Sequence, residues 1–361
     1  MDQPGRRTGA AGGRDRVTGR AATVEVKSVG PGLGPQSGLA ESGLAEVLGR
    51  CRFPDPAHGP VTLAVSGGAD SAALAVLARA AGLDGVVVHV DHGLRPESAA
   101  EAAVVGRLAA DLGFGFSSAR VEIPPGSDLE ARARRARYSV LPPGVLTGHT
   151  MDDQAETVLL NLMRGAALDG LSGMRSTSVR RPLLGLRRAD TVEVCRRAGF
   201  APLEDPTNAD PRFRRNRVRS ELLPLLDRIA ERDVVTVLAR QAVLLAEDGD
   251  LLEHMASVLD PTDVVALRAA PGPLARRALR AWLRGGDGQH PPSSSELGRV
   301  MDVLEGRRRA CQISGGRSVS RRAGRLVLTP LIAPPATDRE AVGTGTGRVT
   351  RLAAPGRGER E

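Results

Sequence analysis

The chain of 361 residues contains a single lysine, Lys27, although lysine and arginine together number 50. That scarcity excludes the common phosphate-binding loop, which requires a lysine after its last glycine. Cysteine is scarce too: Cys51, Cys195 and Cys311 stand far apart, with no C-x-x-C pair. The set offers no zinc or iron–sulfur ligands and suits a reducing compartment without structural disulfides. Aromatic residues make up 2% of the chain, which argues against a single-strand nucleic-acid binder built on stacking platforms. No apolar run approaches the length of a membrane span. The opening stretch, MDQPGRRTGAAGGRDRVTGR, lacks the apolar centre of a signal peptide. A soluble, cytoplasmic protein without a membrane is expected.

What the chain has in excess is arginine, and with it a formal net charge of +8. Such a charge suits a nucleic-acid partner. The accompanying richness in Gly, Ala and Pro is also what a GC-rich coding sequence produces, so the charge counts for about half.

Residues 61–82, VTLAVSGGADSAALAVLARAAG, read as strand, glycine turn and helix. Val61–Val65 is a short apolar run, as in a strand buried on both faces. From Ala72 the apolar residues recur at helical spacing (Ala73, Val76, Leu77, Ala80), and Gly82 stands where a C-cap glycine belongs. Paired glycines let backbone N–H groups approach a ligand, and a helix N-terminus attracts anions. Ser66 and Ser71 add hydroxyl groups, so the loop reads as a phosphate cradle. The plainer alternative is that Asp70 or Ser71 caps the helix and the glycines only turn the chain. The same three letters recur at Ser314-Gly315-Gly316, between β-like runs and before no helix, where a hairpin turn is expected.

Along the chain, strands and helices alternate. GVVVHV precedes a helix from about Glu97 to Leu112, and FGFSSARVEI precedes LEARARRARYSVL, capped by Ser127-Asp128. GVLT precedes DQAETVLLNLMRG. The alternation predicts an α/β fold with a doubly wound parallel sheet. After about residue 225 the pattern turns to helices and then to short β-like runs. Four regions are expected: a disordered tail at 1–38, a nucleotide-binding domain at 39–225, a mostly helical substrate domain at 226–332, and a second tail at 333–361.

Three polar clusters each follow a strand directly: Ser66–Ser71, Asp91-His92-Gly93, and His149–Glu156. In a parallel sheet the carboxyl ends of all strands lie on one edge, where open α/β sheets bind ligands. The clusters are therefore expected to meet. Asp153 as N-cap with Glu156 three residues on is a plausible capping box. Capping leaves His149 and Asp152 unexplained, and a further carboxylate beside a phosphate cradle is what a Mg²⁺ site requires.

SGGADS resembles the pyrophosphate-binding loop of the N-type ATP pyrophosphatases, which split ATP into AMP and pyrophosphate. HVDHGLRPESAAEA, ARYSVL, GHTMDDQAETVLLNLMRG, GLSGM, RPLL and EDPTNADPRFRRNRVRSELLPLL follow in that order. The ordered set is similar to the tRNA(Ile)-lysidine synthetase family over roughly 55–225. ARRALRAWLR with SGGRSVSRRAGRLVL resembles that family's shorter, actinobacterial-type second domain. Thr150 departs from the family, where a second His or an Asn is common. The N-terminal tail has no family counterpart, which points to a misassigned upstream start codon.

The resemblance implies ATP-dependent ligation of free lysine to C2 of the wobble cytidine in a CAU anticodon. The substrates would be tRNA(Ile), L-lysine and ATP with Mg²⁺, with no obligatory protein partner. Ser66, Gly67, Gly68, Ala69, Asp70 and Ser71 would hold ATP's phosphates, with His89 and Asp91 bordering the adenosine pocket. Asp70, with Asp152 or Asp153, would position Mg²⁺. His149 would handle protons, since imidazole titrates near neutrality, and Glu156 would steer the lysine ammonium. Among Arg212, Arg214, Arg215, Arg217 and Arg219, clustered around Asn216, a phosphate clamp for ATP or tRNA is expected. Asn216 and Arg217 are favoured. Rival readings are a tRNA thiolase, which would need reactive cysteines, an amide-forming synthetase, which would need a glutaminase partner, and a non-enzymatic nucleotide-binding module.

Overall fold

The computed structural model describes residues 44–91, 98–121, 129–175, 180–204, 210–284 and 292–330. The expected tails, the His92-Gly93 turn and the Ser127-Asp128 cap lie outside the described residues. In the first part of the chain the elements are α1 (Ala45–Gly49), β1 (Val61–Ala64), α2 (Ala69–Ala80), β2 (Gly85–Asp91), α3 (Ser98–Asp111) and β3 (Gly115–Arg120). There follow α4 (Leu129–Val140), β4 (Leu146–Thr147), α5 (Met151–Met163), α6 (Leu168–Leu171), α7 (Arg188–Arg197) and α8 (Arg214–Arg217). A π-helical turn over Val218–Leu222 joins α8 to α9 (Leu223–Ala230), and α10 (Val234–Ser257) follows.

The four strands form one parallel sheet in the order β3-β2-β1-β4. The chain moves outward from β1 to β3 and then returns across β1 to place β4 on its other side. Right-handed crossovers send α2 and α3 over one face and α4 over the other, which is the doubly wound arrangement expected. β1 is interior, and Leu63 and Val65 are buried beside Val87, Leu146 and Phe114. α2 buries seven consecutive residues, Ala72 to Ala78. A helix can do this only when it is enclosed on every side, and its small alanines let neighbours approach. α7 packs along it through Val194 and Cys195.

The compact units divide between Leu251 and Leu252. The expected boundary at 225/226 falls inside the first unit, where Leu223 of α9 and Val235 of α10 are buried with Ala155 and Leu159 of α5. The second unit contains α11 (Val264–Ala269), α12 (Gly272–Arg284), α13 (Ser294–Glu305) and the strands β5 (Ala310–Ile313), β6 (Arg317–Arg322) and β7 (Arg325–Pro330). The strands form an antiparallel sheet in that order. Leu267, Leu279, Leu283, Val300, Val303, Leu304 and Val319 make its core. Ser314-Gly315-Gly316 joins β5 to β6, as the hairpin reading expected, with both glycines at positive φ. No helix among the described residues is long and apolar enough to cross a membrane.

Candidate active site

β1 and β4 are neighbours whose connections leave in opposite senses, so the crevice at their carboxyl ends is the sheet's switch point. Two of the three polar clusters border it. After β1 the chain turns through Gly67, at φ +93°, a conformation that L side chains rarely adopt. Gly68, not Asp70 or Ser71, is the N-cap of α2. Ser71 instead closes the loop on itself. Its Oγ accepts from the Ser66 N–H at 3.1 Å and donates to the Gly68 carbonyl at 2.9 Å. The N–H groups that open α2, of Gly68, Ala69 and Asp70, have no acceptor within the helix, which suits an anion. After β4, Gly148 lies against this turn: a Cβ there would sit 2.4 Å from the Asp70 carbonyl oxygen. Only glycine lets the two loops meet this closely.

α5 begins at the same place. Its N-cap is Thr150 rather than Asp153, which shifts the expected capping box by one turn. Asp153 is the N3 residue, and its Oδ2 accepts from the Thr150 N–H at 2.9 Å. The threonine that departs from the family pattern thus supplies a cap and is fully buried. Gln154 has a structural role, exchanging hydrogen bonds with the backbone of Met174 at 2.7 and 2.8 Å. With Asp153 as the cap partner, Glu156 is free of capping and points into the protein, where it is 1% exposed.

Four carboxylates therefore gather at the crevice, and four arginines answer them. Arg187 donates to both oxygens of Asp152 at 3.2 Å, and the Arg188 N–H donates to Asp152 at 2.8 Å. The Arg188 guanidinium lies 3.2 Å from Asp70, 3.3 Å from Asp153 and 3.6 Å from Glu156. Arg215 donates to Glu156 at 2.5 Å and to Asp153 at 3.3 Å, and Arg219 donates to Glu156 at 2.7 Å. Asp70 also accepts from the Thr191 hydroxyl at 2.5 Å. Burial raises the Asp70 carboxyl above its ordinary range, with Arg188 and Thr191 opposing. Burial acts on Asp153 in the same sense, but Arg215, the Thr150 N–H and Arg188 outweigh it and hold that carboxyl low. Buried charges survive only when paired, and here the pairing is mutual.

Other expected residues sit differently. His149 Nδ1 lies 2.8 Å from the Thr147 hydroxyl. Burial pushes its imidazole down to about 4, Asp153 opposing and Arg181, Arg134 and Arg215 adding. It is neutral at pH 7 instead of titrating there. His89 is buried, its Nδ1 is 3.0 Å from the Val65 carbonyl oxygen, and burial lowers its pKa as well. It props the end of β1 just before the cradle. The Asp91 carboxylate lies 3.9 Å from Arg120 on β3, away from the arginine network. Arg217, a favoured clamp, is exposed and pairs with Glu221 at 2.9 Å. Arg212 pairs with Asp210, the Asn216 amide donates to the Asp210 carbonyl at 2.9 Å, and Arg214 is exposed. The arginines that reach the crevice are Arg215 and Arg219, because the π-helical turn and the buried Val218 set that face of the helix toward α5.

Sequence reasoning missed Arg187, Arg188 and Thr191. Arg219 was named in the arginine cluster without being favoured, although its i+4 spacing from Arg215 places the two on one helix face. A Mg²⁺ ion beside a nucleotide needs only one or two protein carboxylates, phosphate and water completing its shell. Asp70 and Asp152 supply that number. Among the described residues no three His, Cys, Asp or Glu gather as a bare ligand cluster, and an ion would displace arginine donors from these two. The cysteines do not fit a thiolase. Burial raises Cys195 to about 11 and Cys51 to about 12, and raises Cys311. None is a thiolate near neutrality.

Residues 44–226 match the family described as a PP-loop domain, and residues 263–327 match the TilS substrate binding domain. The tRNA(Ile)-lysidine synthase of Nocardia farcinica is 45% identical over 263 residues, covering 68% of this chain and 81% of that protein. That of Rhodococcus erythropolis is 42% identical over 297 residues, covering 74% and 89%. Among solved structures, the U34-tRNA thiolase of Methanococcus maripaludis with its [4Fe-4S] cluster aligns with a TM-score of 0.41 at 16% identity. That alignment covers 52% of this chain and 72% of that one. With a glycine turn and helix N-terminus at the switch point, two matching family domains in order and relatives aligned over most of their length, the chain belongs to the tRNA(Ile)-lysidine synthase family.

Proposed function

We propose that the crevice between β1 and β4 is where this ATP-using ligase joins free lysine to the wobble cytidine of a CAU anticodon. The enzyme forms lysidine in tRNA(Ile) and uses ATP as a substrate. The C2 oxygen of cytosine is a poor leaving group and needs activation. It forms a bond to the α-phosphorus, and pyrophosphate departs with the electron pair of the α–β bridge. The ε-amine of lysine then bonds to C2, loses a proton, and AMP leaves carrying the oxygen.

Charge builds on the departing pyrophosphate, and preorganised donors there lower the barrier. Ser66, Gly67, Gly68, Ala69 and Ser71 would provide them. Asp70 and Asp152 would hold Mg²⁺, which when bound neutralises phosphate oxygens. Arg187, Arg188, Arg215 and Arg219 are suited to turn from carboxylates to phosphates as the nucleotide arrives. Glu156 and Asp153 would then face the lysine ammonium. His149, neutral at pH 7, would serve as a hydrogen-bonding group rather than as a titrating acid. The target cytidine would have to leave its stack to enter the crevice. His89 supports the β1 end of the cradle.

One observation carries this reading: the cradle after β1 and the carboxylate helix after β4 touch, through Gly148 against Asp70. The test incubates the protein with Mg²⁺-ATP, labelled lysine and a CAU-anticodon tRNA(Ile) transcript. Lysine incorporated into RNA with stoichiometric AMP is the expected result, with a methionine tRNA transcript left unmodified. ATP binding without AMP release or lysine transfer would overturn it in favour of a nucleotide-binding module.

A further inference from the structure

One face of α7 runs along the first turn of α2. At positions i, i+3 and i+7, Arg188 contacts Asp70 at 3.2 Å, the Thr191 hydroxyl contacts Asp70 at 2.5 Å, and the Cys195 thiol donates to the Ala69 carbonyl at 3.4 Å. Thr191 is fully buried, at a position where packing alone would accept valine. A threonine hydroxyl inside a helix commonly donates to the carbonyl three or four residues back, and here the Arg188 carbonyl oxygen lies 2.8 Å away. The hydroxyl has one proton and two acceptors. The shorter contact and the negative charge both favour Asp70, because hydrogen bonds to ionised acceptors are about twice as strong as neutral ones.

The two oxygens of Asp70 are thus held differently. Oδ1 is bound by a hydroxyl whose side chain is fixed in place, since Thr191 is fully buried on the face of α7 that packs against α2. Oδ2 is bound by Arg188, a long side chain that also serves Asp153 and Glu156. When the guanidinium turns to an incoming phosphate, Oδ2 is released while Oδ1 stays fixed.

We propose that Thr191 is a positioning residue for the ligase reaction. Its hydroxyl anchors Oδ1 of Asp70, so that Oδ2 alone faces the cation accompanying ATP. The inference rests on the reading of Asp70 given above. Without the anchor, the carboxylate rotates about its terminal torsion, and one partly buried oxygen is left without its donor, which is costly.

The test compares two pairs of proteins that differ by the hydroxyl alone: wild type with Thr191→Val, and Thr191→Ser with Thr191→Ala. The gain in affinity for a non-hydrolysable ATP analogue on adding Mg²⁺ is measured by calorimetry, alongside kcat and the KM for lysine. In each pair the protein lacking the hydroxyl is expected to lose roughly tenfold of the Mg²⁺-dependent gain and roughly tenfold in kcat. The KM for lysine holds, and Thr191→Ser recovers most of both losses. Should Thr191→Val unfold, the Ser and Ala pair still decides. Equal Mg²⁺-dependent affinity across a pair, or a Thr191→Ser protein as impaired as Thr191→Ala, would overturn the proposal. A wild-type protein that makes no lysidine in the same assay would instead sink the functional reading itself.

Discussion

Glu156 on α5 and Glu193 on the outer face of α7 are each gripped by two arginines at nearly the same distances. Arg215 and Arg219 hold Glu156 at 2.5 and 2.7 Å, and Arg196 and Arg197 hold Glu193 at 2.6 and 2.7 Å. Contact geometry does not distinguish them, but surroundings do. The Glu156 side chain is 1% exposed and its arginines come from a helix some sixty residues away, whereas Glu193 is 39% exposed and its partners are its own i+3 and i+4 neighbours. Water and salt screen the outer cluster. The inner one is unscreened, made by tertiary structure, and continuous with Asp70, Asp152 and Asp153. An arginine-rich composition produces both kinds of pair, and burial separates the kind that can act on a substrate.

The largest expected effect breaks the pair on one side only. Glu156→Ala removes the buried carboxylate that Arg215 and Arg219 share, leaving them the longer contacts to Asp153, and should cost about 3 kcal/mol in urea unfolding. Glu193→Ala should move the urea midpoint only slightly, its pairs being exposed and screened. A similar midpoint shift in both proteins would erase the distinction.

The inner cluster also leaves a mark on pH dependence. His149 falls to about 4 in the folded protein from an ordinary 6.5. Between those values the unfolded chain binds a proton that the folded one does not, so stability is full above about pH 6.5 and falls as pH falls toward 4. Denaturant unfolding at pH 7 and pH 5 should show wild type losing about 2 kcal/mol more than His149→Gln. Identical losses would place His149 outside the desolvated network. The outer cluster has the same sign in a lower window: Glu193 is held down to about 2 by its hydrogen bonds to Arg196 and Arg197. Its contribution is present above the ordinary carboxylate range and is lost only as pH falls toward 2.

A smaller effect belongs to the second unit, where charge acts through a cap. Ser293 is the N-cap of α13, and Glu296 accepts from the backbone N–H groups of Ser293 and of Ser314 in the β5–β6 turn. Ser293→Ala should lower stability by about 1 kcal/mol in thermal or urea unfolding of the full chain, with lysidine formation measured alongside. A loss as large as that of Glu156→Ala would show that a surface cap and a buried pair weigh alike.

The parts of this molecule legible in sequence are those set by local physics. The Val61–Val65 run, the glycines that follow and the alanine-rich helix identify a buried strand and cradle, because strand burial and turn geometry are written in neighbouring residues. The hairpin glycines at 315 and 316 were legible for the same reason. Partner choice was not. Arg217 and Arg215 look alike in RFRRNRVRS, and only the π-helical turn and the burial of Val218 decide which one faces α5. Arg187, Arg188 and Thr191 acquire their role from the packing of Val194 and Cys195 against α2, a contact between residues more than a hundred positions apart. Thr150 was read as a departure from a pattern, and it became the cap that shifted Asp153 to N3 and released Glu156.

The contrast between the two glutamates is tested most directly by the rate of lysine transfer to tRNA(Ile) with Glu156→Gln and Glu193→Gln, each nearly isosteric with the residue it replaces. Glu193→Gln should match wild type, and Glu156→Gln should fall by roughly 100-fold or more, the equivalent of about 2.7 kcal/mol of barrier. Equal rates in the two variants would contradict the assignment of the buried cluster to the chemistry.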